Sequence, residues 1–123
     1  MTAIAMDGKA LAATIEGQLR AEAGGMKAAG LRPTLATILV GDDPASKVYV
    51  GSKHRAAERV GIASRSFDLP DQTTESELAS VIDSLNSDAS VNGILLQLPL
   101  PDRLSSIRMI ERISPEKLSL IHI

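Results

Sequence analysis

Apolar and polar positions along the chain follow two periods, and they switch between them in a regular order. Asp7 is suited to cap a helix that begins at Gly8-Lys9-Ala10. Leu11, Ile15, Leu19 and Met26 then recur at helical spacing on one face, with alanines filling most of the rest. Gly24-Gly25 weaken this helix late and Gly30 ends it. Pro33 opens an extended stretch, and Thr34 to Val40 reads as a buried strand closed by the turn Gly41-Asp42-Asp43-Pro44. Ser46 is placed to cap a second helix, running to about Val60 and stopped by Gly61. Ile62 to Asp68 predicts a second strand. Thr74-Glu75-Ser76-Glu77 fits a capping box ahead of a third helix, with Leu78, Val81, Ile82 and Leu85 on one side. Val91 to Gln97 predicts a third, strongly apolar strand, which Pro99 and Pro101 interrupt. A last amphipathic segment, Leu104 to Ile113, carries Ile107, Ile110 and Ile113 three apart.

Helices and apolar strands therefore alternate. That order predicts an α/β fold: a three-layer sandwich in which a small, mostly parallel sheet is flanked by helices. Its crossovers should be right-handed. Chemistry in such sheets sits beyond the carboxyl ends of the strands. Attention falls on residues 41–53 and 97–101.

Composition narrows the function. The 123 residues suit one domain, with 44% hydrophobic and 23% charged residues. Thirteen Lys and Arg against fifteen Asp and Glu argue against a nucleic-acid binder that neutralises phosphates. Phe67 and Tyr49 are the only aromatics, too few for base stacking. Without cysteine there is no disulfide framework, thiolate metal site or Cys nucleophile, and two histidines do not make a metal cluster. No apolar run approaches the roughly 20 residues that span a bilayer. The opening Met1 to Asp7 lacks the basic start of a signal peptide, so a cytoplasmic location is expected.

Tyr49 and Lys53 lie four apart on the second helix, hence on one face, one turn from each other. A phenol beside an amine can hold the amine or orient a substrate, and partial burial of an amine favours the neutral, proton-accepting form. A surface lysine packed along a tyrosine has the same spacing. Gln97 ends an apolar strand with a group that both donates and accepts, within reach of the Lys53 amine or a ligand; it could equally cap loose backbone. Leu98-Pro99-Leu100-Pro101 fixes the chain just beyond, and an X-Pro bond there can be cis or trans. Asp42 and Asp43 read as a solvated turn. His54, about 100° round the helix from Lys53, reads as exposed. Ser46 reads as a cap rather than a nucleophile. No glycine-rich phosphate loop follows any strand.

The stretch Val40-Gly41-Asp42-Asp43-Pro44-Ala45-Ser46-Lys47-Val48-Tyr49-Val50-Gly51-Ser52-Lys53, with Gly93-Ile94-Leu95-Leu96-Gln97-Leu98-Pro99-Leu100-Pro101, strongly resembles the bifunctional methylenetetrahydrofolate dehydrogenase/methenyltetrahydrofolate cyclohydrolase family. Asp7-Gly8-Lys9 and Ile113-Ser114-Pro115-Glu116-Lys117 fit as well, so the likeness runs from about Ile4 to Lys117. The resemblance implies a catalytic domain over residues 1–117 with the fold of amino-acid-dehydrogenase-like N-terminal domains. It implies folate as substrate, and NADP bound by a Rossmann domain that normally follows. It also implies a homodimer for full-length relatives, while charge and hydropathy leave no nucleic-acid or membrane partner expected. Lys53 takes the place of the family's catalytic lysine, Tyr49 of its tyrosine and Gln97 of its glutamine. Leu98 and Pro99 join these three in contacting the substrate.

After Lys117 the sequence leaves the family pattern. Leu118, Ser119, Leu120 and Ile121 stand where the family continues Asp-Val-Asp-Gly, and Leu120 replaces an aspartate that binds the folate head group. The DNA string CTG TCT CTT ATA CAC ATC, a transposon-end adaptor of sequencing libraries, encodes Leu118 to Ile123. The expectation is a gene fragment joined to adaptor at residue 118, with little activity as it stands; a genuine apolar tail is the alternative. Two further readings compete. A short-chain dehydrogenase shares the Tyr-x-x-x-Lys spacing, but needs an upstream serine and a glycine-rich turn. A non-catalytic α/β module requires Tyr49 and Lys53 to face away from Gln97.

Overall fold

The computed structural model describes residues 7–118. Of the expected foreign tail, only Leu118 falls within this range, and 119–123 lie outside the described residues. The elements are α1 (Gly8–Ala28), β1 (Thr34–Val40), α2 (Pro44–Val60), β2 (Ala63–Leu69), α3 (Glu75–Ser87), β3 (Gly93–Leu96) and α4 (Ser106–Arg112). The three strands form one wholly parallel sheet in the order β2-β1-β3. The expected three-layer α/β sandwich is therefore present, with α1 against α2 on one face and α3 against α4 on the other.

Period two along the strands decides what each face carries. Ala36, Ile38 and Val40 of β1 and Ile94 and Leu96 of β3 point to the α3 side. There they join Leu78, Ile82, Leu85, Met109 and Ile113 in one continuous core. Ile38, Leu78, Ile82 and Ile94 have no exposed surface; burying each contributes roughly 1.5–3 kcal/mol. The alternate residues, Thr37 and Leu39 of β1 with Leu95 and Gln97, turn to the α2 side. The α2 side is the more polar one, and it holds the candidate chemistry.

Local signals explain most boundaries. The Asp7 carboxylate accepts from the backbone N–H groups of Lys9 and Ala10. The Thr74–Glu77 capping box is complete in both directions. Gly61 ends α2 in the left-handed region at φ +84°, where a side chain is strained. Gly41 has φ +93°, and a Cβ there would stand 3.1 Å from Asp71 Oδ1, so any side chain at this turn is strained and crowds Asp71.

Several expectations are corrected. α2 starts at Pro44 and its cap is Asp43, whose Oδ2 accepts from Ser46 N at 2.9 Å and Ser46 Oγ at 2.8 Å. Proline is favoured at the first helical position because its missing N–H would have no partner there. Ser46 thus lies inside the helix, and Asp43 is not an idle turn residue. β3 is only four residues long; Val91 is buried without pairing as a strand. On α4, Met109 and Ile113 are buried while Ile107 is 71% exposed, so the core-facing stripe runs four apart instead of three. On α1, Leu11, Ile15, Leu19 and Met26 face solvent and only Ala23 is buried. Beyond β3, Ile94 N donates to Lys117 O, and Ile94 and Leu118 form an isolated parallel bridge.

Candidate functional site

The site is built on the α2 face, at the carboxyl ends of β1 and β3. The buried residues of α2 are Ser46, Val50, Ala57 and Val60. At about 100° per residue these form one seam with a single vacant slot in its middle, and Lys53 fills that slot. An apolar residue would be expected there. Lys53 is itself exposed, and its amine reaches across to the residue just past β3.

Its partner there is Gln97. Lys53 Nζ donates to Gln97 Oε1 at 2.8 Å. Gln97 is 7% exposed and faces α2 because it directly follows β3 in extended chain, two residues after Leu95. Its other amide atom is also committed: Nε2 donates to Leu98 O at 2.9 Å. That second bond fixes which end of the amide faces the lysine. Only an oxygen can point at Lys53 while a nitrogen points at a carbonyl. Ser46 Oγ, besides its bond to Asp43, lies 3.5 Å from the same Leu98 carbonyl. Start of α2, end of β3 and the Leu98–Pro99 loop are thereby tied together. The Leu98–Pro99 peptide bond is cis, and both side chains are exposed beside Gln97.

Tyr49 stands one turn before Lys53 on the same side of α2, with 57% of its surface exposed. The ring is available to a flat ligand lying over the Lys53–Gln97 pair. The five expected site residues therefore gather at one edge: Lys53 and Gln97 in direct contact, Tyr49 next to them on α2, and Leu98 and Pro99 immediately after Gln97. A non-catalytic module requires Lys53 to face away from Gln97, and the Lys53–Gln97 contact runs against that, while Tyr49 does face solvent.

His54 corrects a further expectation. It is half-buried, not exposed: Nε2 lies 3.0 Å from Thr37 Oγ1 and Nδ1 lies 3.0 Å from Ser64 Oγ. A signal for this exists in the sequence. Thr37 is a hydroxyl within a run of apolar strand residues on the face that α2 covers, and a buried hydroxyl needs a partner. No group of three or more potential metal ligands occurs among the described residues.

A chain with this geometry belongs to a known class. Residues 6–117 match the tetrahydrofolate dehydrogenase/cyclohydrolase catalytic domain, and this chain is a member of that family. It is 52% identical over 112 residues to the bifunctional protein FolD of Geotalea daltonii, covering 91% of this chain and 40% of the relative. The crystal structure of the FolD dehydrogenase/cyclohydrolase from Campylobacter jejuni superposes with a TM-score of 0.89 at 46% identity, over 90% of this chain and 39% of that one. The Trypanosoma brucei enzyme, solved with NADP cofactor and inhibitor, gives 0.87 at 33% identity, over 95% of this chain and 40% of that one. The chain thus spans about 40% of the length of the relatives it matches.

Proposed function

We propose that this chain supplies the folate-handling side of an enzyme that oxidises 5,10-methylenetetrahydrofolate with NADP and hydrolyses the resulting 5,10-methenyltetrahydrofolate to 10-formyltetrahydrofolate. The observation that carries the proposal is the 2.8 Å contact of Lys53 Nζ with Gln97 Oε1, with Tyr49 one turn away on the same face of α2. Membership of the family supports it, and so does the match of Lys53, Tyr49 and Gln97 to the family's functional positions.

In the hydrolytic step, water adds to the methenyl carbon and loses a proton. Lys53 is the group placed to take that proton, and to return it to the folate nitrogen when the carbon–nitrogen bond opens. Gln97 holds the amine in place. Because its amide is also bound to Leu98 O, it cannot turn to offer a donor instead. Tyr49 orients the folate ring, and Leu98 and Pro99 form the adjacent wall. The proposal includes a homodimer, as the resemblance implies, and the cytoplasmic location expected from the opening of the chain. No described helix is long and apolar enough to cross a membrane.

NADP does not fit the described residues. The turn from β1 into α2 is Gly41-Asp42-Asp43, and the Asp43 carboxylate already occupies the N-terminus of that helix. α3 begins with Glu75 and Glu77 in its first turn. A phosphate at either helix start would meet negative charge. No step through the dinucleotide is assigned to these residues.

The test is a chimera in which residues 6–117 replace the matching segment of the Geotalea daltonii relative. Lys53→Ala in that chimera should abolish hydrolysis of methenyltetrahydrofolate. Undiminished hydrolysis by the variant would overturn the assignment of Lys53.

A further inference from the structure

His54 stands next to Lys53 in sequence but on the other shoulder of α2 from Tyr49. Measured from the seam of Ser46, Val50, Ala57 and Val60, His54 is about 80° to one side and Tyr49 about 60° to the other. Lys53 lies between them and reaches β3. His54 reaches the opposite way, to Thr37 in the middle of β1 and Ser64 on β2. The two neighbouring side chains thus bind α2 to all three strands of the sheet.

This second clamp has a buried hydroxyl at its centre. Thr37 is 1% exposed, and its hydroxyl also faces Arg65 O at 3.4 Å. A hydroxyl that donates to that carbonyl accepts from the histidine Nε2–H, and Nδ1 pairs with the Ser64 hydroxyl. The ring thus gives a partner to a buried threonine hydroxyl that water cannot reach.

From this geometry we infer that His54 is a positioning residue: by anchoring α2 to β1 and β2 it sets the rotation of the helix, and so the contact between Lys53 and Gln97. The leverage is considerable. A lysine amine stands several ångströms beyond the helical backbone radius of about 2.3 Å, so a rotation of about 20° moves it by about 2–3 Å. That is enough to break a 2.8 Å hydrogen bond. Without His54, the seam beside Lys53 is held on its β2 side by no polar contact among the described residues. The functional weight of the inference rests on the proposed role of Lys53, but the geometric claim is tested separately from it.

The experiment uses the 123-residue chain and solution NMR. The nuclear Overhauser signal between the Lys53 and Gln97 side chains is read in wild type, His54→Ala, Thr37→Val and His54→Gln, with the backbone amide spectrum reporting the fold. Thr37→Val cuts the same clamp from the strand side with an almost isosteric residue, so it decides the matter even where His54→Ala fails to fold. The signal should vanish in His54→Ala and Thr37→Val while the fold stays intact. His54→Gln, whose amide nitrogen can reach Thr37 in place of Nε2, should restore it. An undiminished signal in folded Thr37→Val or His54→Ala overturns the inference. So does a signal as weak in His54→Gln as in His54→Ala. None of these readings depends on catalysis, so the fate of the Lys53 assignment in the chimera is a separate outcome.

Discussion

Replacing Gln97 with leucine separates stability from function at the proposed site. Gln97→Leu keeps the approximate volume and the buried position but removes two hydrogen bonds, from Lys53 at 2.8 Å and to Leu98 O at 2.9 Å. Each is worth about 0.5–1.5 kcal/mol net. Against this, a leucine at a site only 7% exposed gains apolar burial, worth about 1.5–3 kcal/mol when complete. The groups left behind are not stranded: the Lys53 amine is open to water, and Leu98 O keeps Ser46 Oγ at 3.5 Å. The terms nearly cancel, and urea unfolding of the chain should shift by no more than about 1 kcal/mol. Activity should behave differently. A proton-transfer group that loses its positioning partner gives up a large part of its contribution, which is about 10²–10⁴-fold. Hydrolysis of methenyltetrahydrofolate by the chimera should therefore fall by at least about tenfold. A hydrolysis rate within a factor of about two of the parent would refute the role of the Lys53–Gln97 pair, and a destabilisation of more than about 3 kcal/mol would make Gln97 a structural residue.

Two further outcomes test the scaffold. Thr74→Ala removes one half of the capping box of α3 and should cost about 1 kcal/mol in urea unfolding; no change would mean that the box is ornamental. Asp88 is held down from 3.8 to about 2 by the Ser90 hydroxyl, the Ser90 backbone N–H and the Arg65 guanidinium. The folded state thus binds that proton less readily than the unfolded one. Its contribution to stability is complete above 3.8 and is lost as pH falls through about 2. A carboxyl carbon NMR titration should show the low midpoint for Asp88, and Ser90→Ala should raise it; a midpoint unchanged by that substitution would place the cause elsewhere.

What the sequence reveals of this fold is what short-range physics decides. β1 is legible because seven consecutive residues avoid charge between Pro33 and Gly41, and α3 because its cap and apolar face agree. Boundaries set by competition are less so. Asp43 and Ser46 are both acceptable caps, and Pro44, which has no N–H to lose, tips the choice to Asp43. Exposure of Leu11, Ile15 and Leu19 on α1 is not legible at all. A periodic stripe says that a face can be buried, not which surface buries it. The same limit explains α4, where spacing of three drifts round the helix and spacing of four keeps Met109 and Ile113 on the core.

The site is legible to a different degree, for a different reason. Arithmetic places Tyr49 and Lys53 on one face, and contrast with the leucines before it places Gln97 at the end of a buried strand. That they meet depends on two parities. Gln97 must fall on the α2 side of β3, and Lys53 must fall in the seam of α2. A shift of one residue in either element would send its polar group to the wrong layer. His54 escapes the arithmetic because about 100° from a sheet-facing residue is a shoulder of the helix, not its outer surface. Lys53, although exposed, is in line with the sheet-facing residues Val50 and Ala57, so a residue about 100° away lies on the helix's shoulder, still within reach of the sheet. Lys53 in line with the seam, with His54 on its shoulder, is the feature that most distinguishes α2 from a purely structural helix. A core optimised only for burial would place leucine or alanine at residue 53. The two polar side chains there are tolerable because each finds a partner on the strands beneath: Gln97 on one side, Thr37 and Ser64 on the other.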